Sequence, residues 1–202
     1  MNDLPNESTE PSAVRTPAGL IWLAAAESLL IGIGSLIRWL SPMKEPPYRL
    51  LNWPATPDLV GLGFGLLVGF LLFLNYLAVE RLDWKPVIRI RELLRKLLRE
   101  ALVKSSLAHL FIVALSAGLC EEYLFRGVLE ARLGFWASNL MFALLHPHTF
   151  LYFILVFGIG GIMSASVSFT GSLWTAIAAH TLYDFTVLWK ITNQCRKEHQ
   201  TT

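Results

Sequence analysis

The chain has 202 residues, 54% of them hydrophobic and only 16% charged, with a mean hydropathy of +0.50, where a soluble domain carries about a quarter charged residues. That excludes an ordinary soluble globular protein, and a formal net charge of +2 with the basic residues gathered in one segment excludes a nucleic-acid-binding surface. A bilayer span takes about 20 apolar residues, so the length fits roughly six spans with short connections, an all-α polytopic integral membrane bundle.

Residues 1–17 are rich in Pro, Ser, Thr, Asn and acids, too poor in apolar surface to fold, and are expected to be a disordered tail. Ala18 to Leu40 is an apolar run long enough to span and follows an acidic rather than a basic start, so it is expected to anchor the chain rather than serve as a cleaved signal. Residues 41–57 carry Pro42, Pro46, Pro47, Pro54 and Pro57 and must leave the helix. Asp58 to Val79 is the second span. Its Gly61, Gly65 and Gly69 fall four apart on one face, which suits close helix packing, and no Lys-Ser or Lys-Thr pair follows to make a phosphate loop.

Residues 86–104 set Val87, Ile90, Leu94, Leu97, Leu98 and Ala101 on one side, with Arg89, Arg91, Arg95, Lys96 and Arg99 elsewhere, an amphipathic basic helix expected on the membrane surface. With Arg81, Lys85 and Lys104 it forms the most basic connection, so the positive-inside rule places it in the cytoplasm, and six spans put both termini there too, in a cell (inner) membrane. Four apolar segments follow: about Ser105 to Leu129, Phe135 to His146, Phe150 to Phe169 and Ser172 to Trp189. The expected organisation is therefore a tail at 1–17, two spans and a basic helix over 18–104, a four-helix catalytic core over 105–190, and a polar tail at 191–202. Continuous apolar runs, rather than alternating ones, argue against strands. Cys120 and Cys195 form no disulfide framework or metal signature.

Inside the last four segments stand Glu121, Glu122, Arg126, His146, His180 and Asp184, each costing on the order of 2.5 to 3.5 kcal/mol at membrane depth. Glu122 and Arg126 lie four apart and can pair; with Glu130 one turn on, they also fit a buried ladder that only fixes packing. His180 and Asp184 share the same spacing. Glu121 points about 100° away from Glu122, free for another partner. A single buried histidine is commonly a satisfied core residue. Two histidines and a spare carboxylate on separate segments are better explained by one shared site, in which a carboxylate and an imidazole take a proton from water while another imidazole donates to a developing oxyanion.

EEYLFRG (Glu121 to Gly127), FALLH (Phe142 to His146) and HTLYD (His180 to Asp184) resemble, in order and spacing, the motifs EExxxR, FxxxH and Hxxx(N/D) of the CAAX-protease and bacteriocin-processing family of glutamic intramembrane endopeptidases, which includes the type II CAAX prenyl proteases. The resemblance covers about Ser105 to Trp189. It implies that Glu121 and His146 activate the attacking water and that His180 and the last motif residue stabilise the oxyanion, without a cofactor. Prenyl proteases carry Asn at that last place, so Asp184, which donates only when protonated, is given a supporting role. Glu122, Arg126 and Phe142 are structural or support the catalytic groups. The implied substrate is a membrane-associated protein or peptide, lipidated or carrying a C-terminal sorting segment, with membrane lipid as the other partner.

Two other functions fit the same residues. Glu121, His146, His180 and Asp184 are an acceptable zinc ligand set, although HExxH is lacking; metal content and chelator sensitivity decide this. A non-catalytic immunity or scaffold protein of the same fold needs none of Glu121, His146 and His180. A cysteine protease through Cys120 is disfavoured, because a nucleophile requires a lowered pKa and access.

Overall fold

The computed structural model describes residues 17–42, 58–146 and 149–200. The expected N-terminal tail up to residue 16 and most of the proline-rich loop lie outside them. Helix α1 is Pro17–Leu40, α2 Leu59–Glu80, α3 Lys85–Lys104 and α4 Leu107–Glu122; a π-helical stretch, Tyr123–Glu130, leads into α5 at Ala131–Leu144, followed by α6 at Phe150–Thr170 and α7 at Leu173–Gln200. The described residues contain no strand, and the chain is an all-α membrane bundle.

Local chemistry sets the helix ends. Asp58 accepts from the Val60 amide at the start of α2, and Thr149 does the same for Tyr152 at α6. Ser106 and His109 form a reciprocal capping box on α4, satisfying amides that have no partner within the helix. α6 stops at Gly171, whose φ of 67° is the left-handed conformation that closes a helix without a Cβ penalty.

Four described stretches are long and apolar enough to cross a membrane: Ala18–Leu40, Leu59–Glu80, Leu107–Leu144 and Phe150–Thr170. The third has 38 residues, about 57 Å if straight, nearly twice a hydrocarbon core. It breaks at Gly134, where φ 80° and ψ 169° leave helical space. Sequence alone counted this stretch as two segments and the last helix as another. α7 is not among the four, because His180, Asp184 and several threonines dilute its apolar content. It also differs at its end. Where a polar tail was expected from residue 191, the helix runs on to Gln200 with Ile191, Thr192 and Cys195 buried.

α7 is central and packs against α2, α3, α4 and α6. The glycine face of α2 makes this possible: a Cβ on Gly65 would strike the Thr175 carbonyl, and one on Gly69 would sit 2.6 Å from that of Ala179. Backbone cannot yield as a side-chain tip does. Gly65→Ala is therefore expected to cost about 1–3 kcal/mol, measured by thermal unfolding in detergent; unchanged stability would mean that α2 sits farther from α7.

Three apolar clusters fill the bundle. One joins Leu20, Leu102, Leu110 and Ile191 from α1, α3, α4 and α7. A second joins Val68, Met163 and Ile177 from α2, α6 and α7, and a third gathers Leu124, Phe125, Phe142 and Val156 around the π-helical stretch. The basic helix forms where expected. Its Val87, Ile90, Ala101 and Leu102 are buried while Arg89, Lys96 and Arg99 are exposed, so its apolar side is covered by protein, chiefly α7.

Candidate active site

Arg126 and Glu122 are fully buried, and their ion pair measures 3.1 Å. The guanidinium is satisfied on every side: Nε donates to Ser164 (3.3 Å), and Nη2 to Asn139 (3.2 Å) and to the Gly160 carbonyl (3.0 Å). Its carbon lies 4.4 Å from the centre of the Phe142 ring, a cation–π distance. Gly160 must lack a side chain, since a Cβ there would fall 2.8 Å from Arg126 Nη2. A buried charge needs this degree of compensation. The π-helical stretch starts immediately after Glu122 and contains Arg126; such segments recur at functional sites.

Glu122 serves a second partner. His180 Nδ1 stands 2.8 Å from Glu122 Oε1, so the carboxylate joins Arg126 to the histidine. The other ring nitrogen faces two more acids, with Nε2 3.4 Å from Asp184 Oδ2 and 3.9 Å from Glu121 Oε2. Glu121 Oε2 is buried and makes no hydrogen bond. It remains an acceptor for a small molecule in the cavity.

His146 lies just beyond the end of α5, with Nδ1 2.9 Å from the Phe142 carbonyl. A carbonyl only accepts, so in the neutral imidazole the proton sits on Nδ1 and Nε2 is the basic nitrogen. Phe142 separates the two histidines, its ring centre 4.9 Å from that of His146 and 6.2 Å from that of His180. Glu121, His146, His180 and Asp184 all line one cavity of about 360 Å³, whose walls are otherwise mostly apolar. Glu122 and Arg126 lie behind it. This arrangement can hold a water between a carboxylate and an imidazole, and can present an imidazole to an oxygen on which charge develops.

Sequence reasoning missed several members. Glu27 of α1 lines the same cavity, and its Oε2 is buried without a hydrogen-bond partner. A lone carboxylate in an apolar span was the available signal. Asn139 and Ser164 carried none, because single polar residues in a span are common and their shared partner Arg126 becomes visible only on folding. No group of three or more His, Cys, Asp or Glu among the described residues is arranged to hold a metal ion. Cys120 and Cys195 are buried and unbonded to each other.

Residues 103–186 match the model of the family described as type II CAAX prenyl endopeptidase Rce1-like. Over 84 residues the chain is 36% identical to a Bacillus subtilis (strain 168) protein described as uncharacterized protein YpbD. That stretch is 40% of this chain and 44% of the relative, so the likeness spans less than half of the relative's length. No solved structure matches the chain. The region that resembles the Rce1-like, type II CAAX prenyl endopeptidase family contains Glu121, Glu122, Arg126, His146, His180 and Asp184.

Proposed function

We propose that this protein is an intramembrane endopeptidase that hydrolyses a peptide bond of a membrane-associated protein or peptide, with Glu121 and His146 activating water and His180, supported by Asp184, stabilising the oxyanion. The observation that carries this reading is the convergence of all four side chains on one apolar-walled cavity. The family match supports the reaction class. Attack begins when water, held between Glu121 and Nε2 of His146, gives one proton to Glu121 and adds to the scissile carbonyl; when the adduct collapses the C–N bond breaks and Glu121 passes that proton to the leaving nitrogen. His180 then donates from Nε2 to the carbonyl oxygen while its Nδ1 proton stays with Glu122. Both nitrogens donate in that state, and the carboxylates of Glu122 and Asp184 balance the imidazolium. Glu122 and Arg126 act by position: they fix the ring on which this geometry depends.

The direct test compares protein C-termini, by mass spectrometry, in cells carrying the parent protein or Glu121→Gln. Uncleaved precursors should accumulate only in the variant. Identical C-termini would favour the scaffold reading. Asp184→Asn keeps an acceptor near His180 but removes the charge, and should lower kcat by about tenfold rather than abolish turnover. Unchanged kcat would mean that Asp184 does not support His180. Cleavage should also survive chelation followed by dialysis, whereas rescue of a chelated enzyme by zinc would restore the metal reading.

The basic charge of α3 supports a cytoplasmic position for it and for both termini. Single cysteines at Arg89 and Lys96, both exposed, should react with an impermeant maleimide from the cytoplasmic side. Reaction from outside alone reverses this topology.

A further inference from the structure

The mostly apolar walls of the cavity set a condition on any peptide that enters it. A backbone brings an N–H and a C=O at each residue, and every one left without a partner away from water costs free energy comparable to a lost hydrogen bond. The wall must therefore offer polar groups to the chain it holds. Two carboxamides line it, Gln194 and Asn75. Gln194 is already engaged, donating to Glu80 (2.7 Å) and accepting from Arg95 (2.8 Å). Asn75 is exposed, and its side chain makes no hydrogen bond among the described residues.

Packing gives Asn75 no task. It is the first polar side chain of α2, after the run LVGLGFGLLVGFLLFL, and it lies about 120° around the helix from Gly69, off the glycine face that meets α7. Its height is fixed by the register of the two helices, which run parallel with Gly65 against Thr175, Gly69 against Ala179 and Glu80 against Lys190. The same register puts Asn75 level with Phe185, the residue after Asp184. Asp184 Oδ2 stands 3.4 Å from His180 Nε2, so an unengaged carboxamide on the α2 wall stands at the height of the reacting groups.

From this we infer that Asn75 is a substrate-binding residue that hydrogen-bonds the backbone of an extended peptide beside the scissile bond. This rests on the endopeptidase reading. A carboxamide carries an acceptor oxygen and two N–H donors. The N–H and C=O of one residue in an extended chain point to the same side, which is how facing residues of paired strands exchange both bonds. One Asn side chain serves both groups in the same way. Holding the chain at that residue fixes which peptide bond reaches Glu121.

The test uses full-length Glu121→Gln protein in nanodiscs, which keeps the probes uncleaved, with and without Asn75→Leu, a replacement of similar size that suits an apolar span. One probe is fluorescein-labelled Leu-Val-Leu-Val-Leu; the others are the same peptide with a single peptide N–H replaced by an ester oxygen, one probe for each peptide bond. Binding is followed by fluorescence polarisation, and circular dichroism verifies that each variant is folded. One ester should bind about fivefold to tenfold more weakly than the all-amide peptide. Asn75→Leu should weaken the all-amide peptide by a similar factor and make that one ester its equal. A merely structural role would instead weaken every probe alike. Uniform weakening, an ester penalty that survives Asn75→Leu, or no binding by folded protein overturns the inference. No bond is cleaved in these measurements, so their failure is distinct from failure of the endopeptidase reading, which the C-terminal comparison decides.

Discussion

Glu121→Gln should lower turnover by about 10²- to 10⁴-fold while leaving the protein folded, because general-base catalysis contributes on that scale and an amide cannot take the proton of an attacking water. Glutamine nearly preserves the shape of the side chain. Glu121 Oε2 makes no hydrogen bond, and His180 Nε2 is 3.9 Å away, so the replacement breaks no hydrogen bond at that oxygen. Stability should stay within about 1 kcal/mol of the parent, as is usual where no buried pair is broken. Kinetics on a cleaved substrate, paired with thermal unfolding, separate the two effects. Full activity of the variant would remove Glu121 from the chemistry, and a large loss of stability would reassign it to packing.

Arg126→Ala should have the opposite signature, a loss of about 3–5 kcal/mol in stability, because it leaves the buried carboxylate of Glu122 without its guanidinium. The same change removes the donor shared by Asn139, Ser164 and the Gly160 carbonyl, all of which accept from Arg126. A double variant, Glu122→Leu with Arg126→Met, removes both charges and should recover part of that stability, since apolar replacement of a buried pair is often tolerated. Activity should not return with it. His180 loses the carboxylate 2.8 Å from its Nδ1, and the ring proposed to donate to the oxyanion is no longer held. Tryptophan fluorescence during thermal unfolding reads the first effect and residual cleavage the second. Near-parent stability of Arg126→Ala would show that the cage around the guanidinium is dispensable.

These two variants also mark the division between local and long-range information. The apolar runs, the basic helix at 85–104, the glycine face of α2 and the grouping of Glu121, Glu122 and Arg126 are legible in the sequence, because each depends on run length or on a spacing within one or two helical turns. His180 and Asp184 are legible for the same reason, and their cost in an apolar segment singles them out. Family resemblance gives the order of the partner residues along the chain, and no spacing rule contains the distances. Only folding decided that Glu122 serves both Arg126 and His180, a contact across 58 positions of sequence, or that Asn139 and Ser164 complete the guanidinium cage. Folding likewise brought Glu27 of α1 to the cavity and drew the last helix out to Gln200, where Gln194 and Glu198 meet Arg95 of α3. Such partners are chosen by which helix faces pack together. A polar residue read alone cannot reveal which distant group will neutralise it once water is excluded.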